Sequence, residues 1–156
     1  MACPPEAAQS FFPLRCLKVG KVIRGRSVGT NVLAYLMLEG DRTSAAQELY
    51  ERDSDWRSEA FIMVEFSNVL TTYVRTKTIT RDQGLKLLVG AEEFMPILTS
   101  VPHARALEAA VQFGISAYDA RFIALAMQMK VRLVTEDAKL RAAVPLWTDS
   151  IANAIA

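Results

Sequence analysis

Apolar residues recur along this chain at helical spacing, and shorter apolar runs lie between the helical segments. The clearest helical pattern is in VEFSNVLTTYV, where apolar side chains recur at i, i+3, i+4 and i+7: Phe66, Val69, Leu70 and Tyr73. Other helices are predicted in NVLAYLML, AAQELYERDS, QGLKLLVGAEEF and HARALEAAVQFG. Strands are predicted in residues 17–30, in the run that begins at Trp56, in MPILTSVP and at PLWT. Strands that alternate with helices predict an α/β fold with a parallel sheet and right-handed crossovers.

Polar residues and glycines at the ends of these segments predict where the helices begin and end. Thr80 and Gln83 form the pattern of a capping box, and Gly114 is expected to stop the helix before it. The remaining predicted N-caps are Thr30 or Asn31, Ser44 and Ser116, the last with Asp119 three residues later.

Residues 114–143 place two carboxylates at one edge of the predicted sheet. The segment predicts a helix from about residue 117 to 129, a strand over 131–135 and a second helix that begins after Glu136 and Asp137. The helix would be about 20 Å long and the strand would return over about 17 Å, so the helix start and the strand end lie together. Asp119 and Asp137 are therefore expected to approach each other where open parallel sheets bind their ligands.

Composition and charge narrow the classes of protein that fit. The chain has 156 residues, of which 51% are hydrophobic, and a formal net charge of +1. Such a length favours one domain over residues 21–156, after a loose N-terminal extension over residues 1–20. The near-zero charge argues against a general polyanion binder. Cys3 and Cys16 have no zinc-type or CxxC spacing, no apolar run is long enough to span a bilayer, and the N-terminus is a poor secretory signal, so a cytoplasmic protein is expected.

Three acidic residues at or near predicted helix starts are the candidates for chemistry: Glu65, Asp119 and Asp137. Each taken alone is explained by the helix macrodipole, which favours acids at helix N-termini by roughly 0.3–1 kcal/mol. Three carboxylates at one edge repel one another, however, and would need a cation. Mg²⁺ and Mn²⁺ prefer such oxygen ligands and support phosphate hydrolysis.

Other chemistries have less support in the sequence. His103 is the only histidine, and neither GxSxG nor a metal-type histidine pair accompanies it. The segment from Gly25 to Gly29 matches neither GxGxxG nor a P-loop. Several basic residues could contact a nucleic-acid backbone, although most are expected to be ordinary solvated charges: Arg75, Lys77, Arg121, Lys130, Arg132, Lys139 and Arg141.

The chain resembles PIN-domain proteins, and within them the VapC-type ribonuclease toxins of toxin–antitoxin systems. The resemblance covers about residues 28–150 and rests on TNVLAYL (30–36), EFSNVLTTYV (65–74), HARALEAAVQFGISAYDARFIALA (103–126) and LVTEDAKLRAAVP (133–145). It implies a three-layer α/β/α PIN-like fold with a central parallel sheet and metal-dependent endonucleolytic cleavage of RNA. It places Glu65, Asp119 and Asp137 on acidic positions of the family's Mg²⁺ or Mn²⁺ site, and Asn31 and Thr135 on polar positions beside it. Family members typically form homodimers and are inhibited by a cognate antitoxin protein.

One position departs from the family pattern. An aspartate usually precedes Thr-Asn at the end of the first strand, whereas this chain has Gly29 there. The site therefore lacks one acidic position, and two functions stay open: an endoribonuclease, impaired or not, and a catalytically inactive PIN-fold module for binding or dimerisation. An unrelated α/β phosphohydrolase that acts on small phosphate esters is a third hypothesis.

Overall fold

A computed structural model describes residues 25–95 and 97–156 of the chain. Its five strands are β1 (Arg26–Val28), β2 (Trp56–Glu59), β3 (Ile97–Thr99), β4 (Leu133–Val134) and β5 (Thr148–Asp149). The helices are α1 (Thr30–Met37), α2 (Thr43–Arg52), α3 (Phe61–Arg75), α4 (Arg81–Phe94), α5 (His103–Phe113), α6 (Ala117–Met129), α7 (Ala138–Ala143) and α8 (Ile151–Ile155). The predicted fold class is confirmed, since helices flank a central sheet in a three-layer α/β/α arrangement.

The sheet has the strand order β3-β2-β1-β4-β5, and every neighbouring pair is parallel. From β1 the chain adds β2 and β3 on one side and then β4 and β5 on the other. The direction of winding therefore changes between β1 and β4. In open parallel sheets such a switch point leaves a crevice beyond the carboxyl ends of the strands, which is where ligands bind.

The core lies on both faces of this short sheet. Strand residues Val28, Leu133 and Val134 are buried, as are Phe66 of α3 and Ile123 of α6. These side chains belong to one hydrophobic cluster that extends to α1, α2, α4, α7 and α8. Helices cover both faces of the sheet, and its buried residues include polar ones such as Ser27, Ser58 and Glu59.

Three of the predicted helix ends are confirmed. Thr80 and Gln83 form a complete capping box at the start of α4. Ser116 caps α6 by accepting a hydrogen bond from the Asp119 amide, and Gly114 follows α5 in the left-handed conformation with φ = 63°.

Two predicted N-caps are wrong. The N-cap of α1 is Gly29, which has no side chain, and Thr30 is the first helical residue. Its hydroxyl is thereby available to a neighbouring helix. Ser44 is the second residue of α2, whose N-cap is Arg42 without a side-chain bond. The start of this helix is stabilised instead by Thr43, whose hydroxyl accepts from the Gly40 amide and donates to the Leu38 carbonyl.

Some strands are shorter than their patterns predicted. The strand predicted over 131–135 is present only at Leu133–Val134. The strand predicted in 17–30 is present at Arg26–Val28, and residues 17–24 lie outside the described residues. The predicted extension over residues 1–20, with both cysteines, lies outside the described residues. Within the described part of the chain, none of the helices combines the length and hydrophobicity that a bilayer crossing needs.

Candidate functional site

A cavity of about 750 Å³ opens at the carboxyl edge of the sheet, beside the switch point between β1 and β4. Every residue predicted for the site lines it: Gly29, Asn31, Glu65, Asp119, Thr135 and Asp137. Apolar side chains of Phe61, Val64 and Phe122 complete part of its wall. The fold thus brings residues from α1, α3, α6 and the end of β4 to one concave surface, although they are up to 108 positions apart in the sequence.

Glu65 lines this cavity from α3 and is partly buried. It is the fifth residue of α3 and not its first turn, so the prediction that it begins this helix is wrong. Its carboxylate accepts a hydrogen bond from the Thr30 hydroxyl. Burial raises the pKa of Glu65, the Thr30 bond opposes this rise, and the negative charges of Asp119 and Glu59 add to it. Glu65 therefore lies within electrostatic reach of Asp119.

Asp119 lies in the first turn of α6, where Ser116 contacts it twice. The Asp119 amide donates to Ser116 Oγ at 3.1 Å, and the same hydroxyl donates to Asp119 Oδ2 at 2.6 Å. The second bond fixes the orientation of the carboxylate. Ser116 also lines the cavity, so the cap belongs both to the helix and to the site.

Asp137 begins α7 on the other side of the sheet end. Its Oδ1 accepts a hydrogen bond from the Leu140 amide at 2.9 Å, so the residue is a helix N-cap. Asp137 therefore has the helix-stabilising role expected of an acid at a helix start. Because the side chain also lines the cavity and is exposed, its capping role does not remove it from the site.

Asn31 and Thr135 connect the start of α1 to the end of β4. Asn31 Nδ2 donates to Thr135 Oγ1 at 3.1 Å, and Asn31 Oδ1 accepts from the Glu136 amide at 3.2 Å. Thr135 Oγ1 also accepts from the Asp137 amide at 3.2 Å. These polar side chains therefore hold the turn that carries Asp137 against the first helix.

The carboxylates meet the chemical requirement of a hard divalent cation but are not gathered around one point. Among residues 25–95 and 97–156, no group of three or more His, Cys, Asp or Glu side chains is arranged to hold a metal ion. Glu65 and Asp119 are electrostatically coupled, and Asp137 lines the same cavity from the start of α7. The donor set is oxygen only, and the pKa of Glu65 is raised by burial and then by the neighbouring acids. Both features fit Mg²⁺ or Mn²⁺, because such a cation would stabilise the ionised carboxylates.

Gly29 is buried at this edge of the sheet, directly after β1 and beside Thr135. Its backbone is extended, with φ = −88° and ψ = 168°, which any residue adopts. A Cβ atom there would lie 3.5 Å from both Cβ and Oγ1 of Thr135, an ordinary contact distance. The backbone of the site therefore accepts a side chain at this position.

The sequence interpretation missed a buried ion pair beside the cavity. Glu59 ends β2 and is fully buried, and its Oε1 accepts from Arg121 Nη2 of α6 at 2.6 Å. Burial alone would raise the pKa of Glu59, but bonds from Arg121 and from the Val101 and Phe61 amides outweigh it and hold this pKa below its ordinary value. Of the basic residues considered for nucleic-acid contact, Arg121 is thus committed to the interior. No local pattern in β2, which reads Trp-Arg-Ser-Glu, indicates that Glu59 is buried against Arg121.

Comparisons with known proteins agree with the fold. The family model described as the PIN domain matches residues 28–144. One similar solved structure is the crystal structure of PAE2754 from Pyrobaculum aerophilum, with a TM-score of 0.70 and 18% sequence identity, over 87% of this chain and 96% of that one. No curated protein matches the sequence.

Proposed function

The chain belongs to the PIN-domain family, and we propose that it is a metal-dependent endoribonuclease of the VapC toxin type that hydrolyses RNA phosphodiester bonds. PIN domains are generally metal-dependent nucleases and typically use Mg²⁺ or Mn²⁺. The proposal is carried by one observation: three acidic side chains from separate elements line a single cavity at the switch point of the sheet.

The proposed mechanism assigns a role to each side chain of the cavity. Glu65, Asp119 and Asp137 would hold the metal, which when bound supplies activation of water and stabilisation of charge on the phosphate. Thr30 and Ser116 orient Glu65 and Asp119 through the hydrogen bonds described above. Asn31 and Thr135 keep Asp137 at the cavity wall and offer polar groups to water.

Conversion of Asp119 to Asn tests this assignment. Several kcal/mol of charge stabilisation depend on the metal, so the cleavage rate of a single-stranded RNA with Mn²⁺ or Mg²⁺ should fall about 100-fold or more in Asp119→Asn and in Asp137→Asn. Asp82→Asn is the matched control, because Asp82 lies in the first turn of α4 and outside the cavity. Full activity in either cavity variant would contradict the assignment. Cleavage of bis(p-nitrophenyl) phosphate but not of RNA would favour the small-ester phosphohydrolase.

Gly29 favours a second candidate, a catalytically inactive PIN-fold module that binds or dimerises. The described residues contain no group of three acids arranged for a metal. Gly29 also stands where the family pattern has its first acidic residue. The two candidates are separated by the chain as it stands, Gly29→Asp and Gly29→Ala in the same RNA assay. Activity in all three favours the enzyme, and activity only in Gly29→Asp indicates a site impaired by the missing carboxylate. No activity in any of them favours the binding module.

The proposed partners are the RNA substrate, a second copy of the chain and a cognate antitoxin protein in the cytoplasm. An apolar surface beside the cavity supports the homodimer. Its side chains are exposed to 59% at Val64, 61% at Leu107, 77% at Val111 and 63% at Tyr118. Leu107 and Val111 are four residues apart on α5 and so share one face of that helix. The antitoxin rests on the VapC resemblance alone.

A further inference from the structure

We propose that the buried Glu59–Arg121 pair is a positioning device that sets where the Asp119 carboxylate stands relative to Glu65. The catalytic consequence of this inference rests on the proposed nuclease function. The structural part concerns α3 and α6, the two helices that carry the two coupled acids of the cavity.

Arg121 is the fifth residue of α6 and contacts its surroundings on the side of the helix opposite the cavity. Asp119 and Arg121 are two residues apart, which is roughly 200° around an α-helix. Accordingly, Asp119 lines the main cavity, whereas Arg121 lines a neighbouring one of about 510 Å³. A displacement of the guanidinium therefore moves the helix start, and Asp119 moves with it.

The contacts of Arg121 fix it to two strand ends. Its Nη2 donates to Glu59 Oε1 at 2.6 Å and to the Val101 carbonyl at 2.9 Å. Its Nη1 lies 3.1 Å from His103 Nδ1 at the start of α5. The planar guanidinium thus makes several directed contacts at once, which a lysine ammonium cannot reproduce.

Glu59 connects the same guanidinium to the helix that carries Glu65. One carboxylate oxygen accepts from the Val101 amide at 2.9 Å as well as from Arg121, and the other accepts from the Phe61 amide at 2.6 Å. Phe61 is the first residue of α3. The buried Glu59 carboxylate therefore joins Phe61 of α3 to Arg121 of α6. Phe61 lies four residues before Glu65, and Arg121 lies two residues after Asp119.

Stability alone does not account for such a pair. The desolvation of two buried charges often cancels their attraction, and uncharged replacements of similar volume are frequently neutral or stabilising. The double variant Glu59→Gln/Arg121→Met uses this property. The Gln carbonyl still accepts one amide bond and Met retains part of the alkyl stem, while both charges and the guanidinium contacts are removed. The variant is therefore expected to fold.

The test compares this double variant, Arg121→Lys and the parent chain. Mn²⁺ binding is followed by electron paramagnetic resonance and RNA cleavage by kcat and KM, in the Gly29→Asp background if the parent does not cleave. The double variant should bind Mn²⁺ about 10- to 100-fold more weakly and lose kcat with little change in KM. Arg121→Lys should lie between it and the parent, because the charge is kept and the directed contacts are not.

Amide exchange supplies a readout that needs neither metal nor substrate. Residues 117–121 should exchange faster in the double variant than in Leu49→Ala, a buried change on α2 outside the cavity, at equal global stability. Parental exchange in that turn, or parental Mn²⁺ affinity and kcat in the double variant, would overturn the inference. Absence of RNA cleavage in both the parent and Gly29→Asp would contradict the nuclease proposal instead, and the exchange data would still decide whether the pair positions α6.

Discussion

Among single residues, Glu65 shows how the fold places a charge where charge is unfavourable. The residue is partly buried, and Asp119 and Glu59 both oppose its ionisation. Of the groups that shift its pKa, only the Thr30 hydroxyl favours the ionised form. A carboxylate in this position stores electrostatic free energy that a bound cation would release.

The raised pKa of Glu65 predicts a specific dependence of stability on pH without metal. The folded protein retains this proton above the ordinary pKa of 4.5, so its stabilising effect is complete below about pH 4.5 and is lost as pH rises through the folded pKa. Glu65→Gln should therefore be more stable than the parent at pH 7.5, by about 1.4 kcal/mol for each unit of the shift, and equal to it near pH 4.5. Urea denaturation in EDTA at several pH values measures this difference.

The control for this experiment is Glu92→Gln, which changes an exposed carboxylate on α4. Its stability should follow the parent at every pH. Added Mn²⁺ should stabilise the parent and leave Glu65→Gln nearly unchanged, which reverses their order at neutral pH. Parallel pH profiles for the parent and Glu65→Gln would show that Glu65 is not destabilised by its surroundings.

The sequence predicted those site residues whose positions follow from local helix and strand patterns. Asp119 and Asp137 were predicted from a helix followed by a returning strand, and both line the cavity although the strand has only two residues. Thr30 was assigned as a cap because hydroxyls are common there, and no sequence pattern shows that Gly29 takes the cap and frees Thr30 for Glu65. The Glu59–Arg121 pair joins residues 62 positions apart, and such long-range pairing has no local signal.

At the scale of whole elements, α4 and α6 have the same kind of N-cap, but only the cap of α6 lines the cavity. Each has a hydroxyl N-cap that accepts from the amide three residues later, Thr80 from Gln83 and Ser116 from Asp119. The cap of α4 is exposed and outside the cavity, whereas the cap of α6 also donates to a carboxylate of the site. The two helices therefore form a natural comparison.

The comparison predicts that Thr80→Ala and Ser116→Ala have equal effects on stability and unequal effects on the site. Each loses a capping bond and should lower the free energy of unfolding by about 1 kcal/mol. Only Ser116→Ala should also weaken Mn²⁺ binding or RNA cleavage, by about 10-fold, because Asp119 loses the bond that orients it. Chemical denaturation and Mn²⁺ titration of both variants measure the two effects.

An equal loss of Mn²⁺ binding in Thr80→Ala would show that the effect comes from general destabilisation. Capping patterns of this kind are local, which is why the starts of α4 and α6 were predictable from the sequence. The short strands were less predictable from the sequence, because β4 and β5 have only two residues each and their apolar neighbours extend the pattern past them.

For the whole molecule, the parallel class of the sheet followed from the alternation of elements, whereas the strand order did not. That order depends on which helices bury the strand faces, and it places β1 in the centre between β2 and β4. The cavity results from this order, since it brings the starts of α1 and α7 together at one edge. Its three candidate acids lie on α3, on α6 and at the start of α7 of the same chain.

The apolar surface of α3, α5 and α6 predicts a dimer that can be dissociated without loss of the site. Leu107→Glu places a charge in the middle of this surface, where Leu107 is 61% exposed, and should convert a dimer to monomers in sedimentation equilibrium. Leu85→Glu is the matched control, because Leu85 of α4 is 51% exposed and outside this surface. The Leu107→Glu monomer should retain the Mn²⁺ affinity of the parent, since Leu107 does not line the cavity and the three proposed metal ligands lie on one chain. A monomeric parent, or a dimer broken by Leu85→Glu instead, would exclude this surface as the interface.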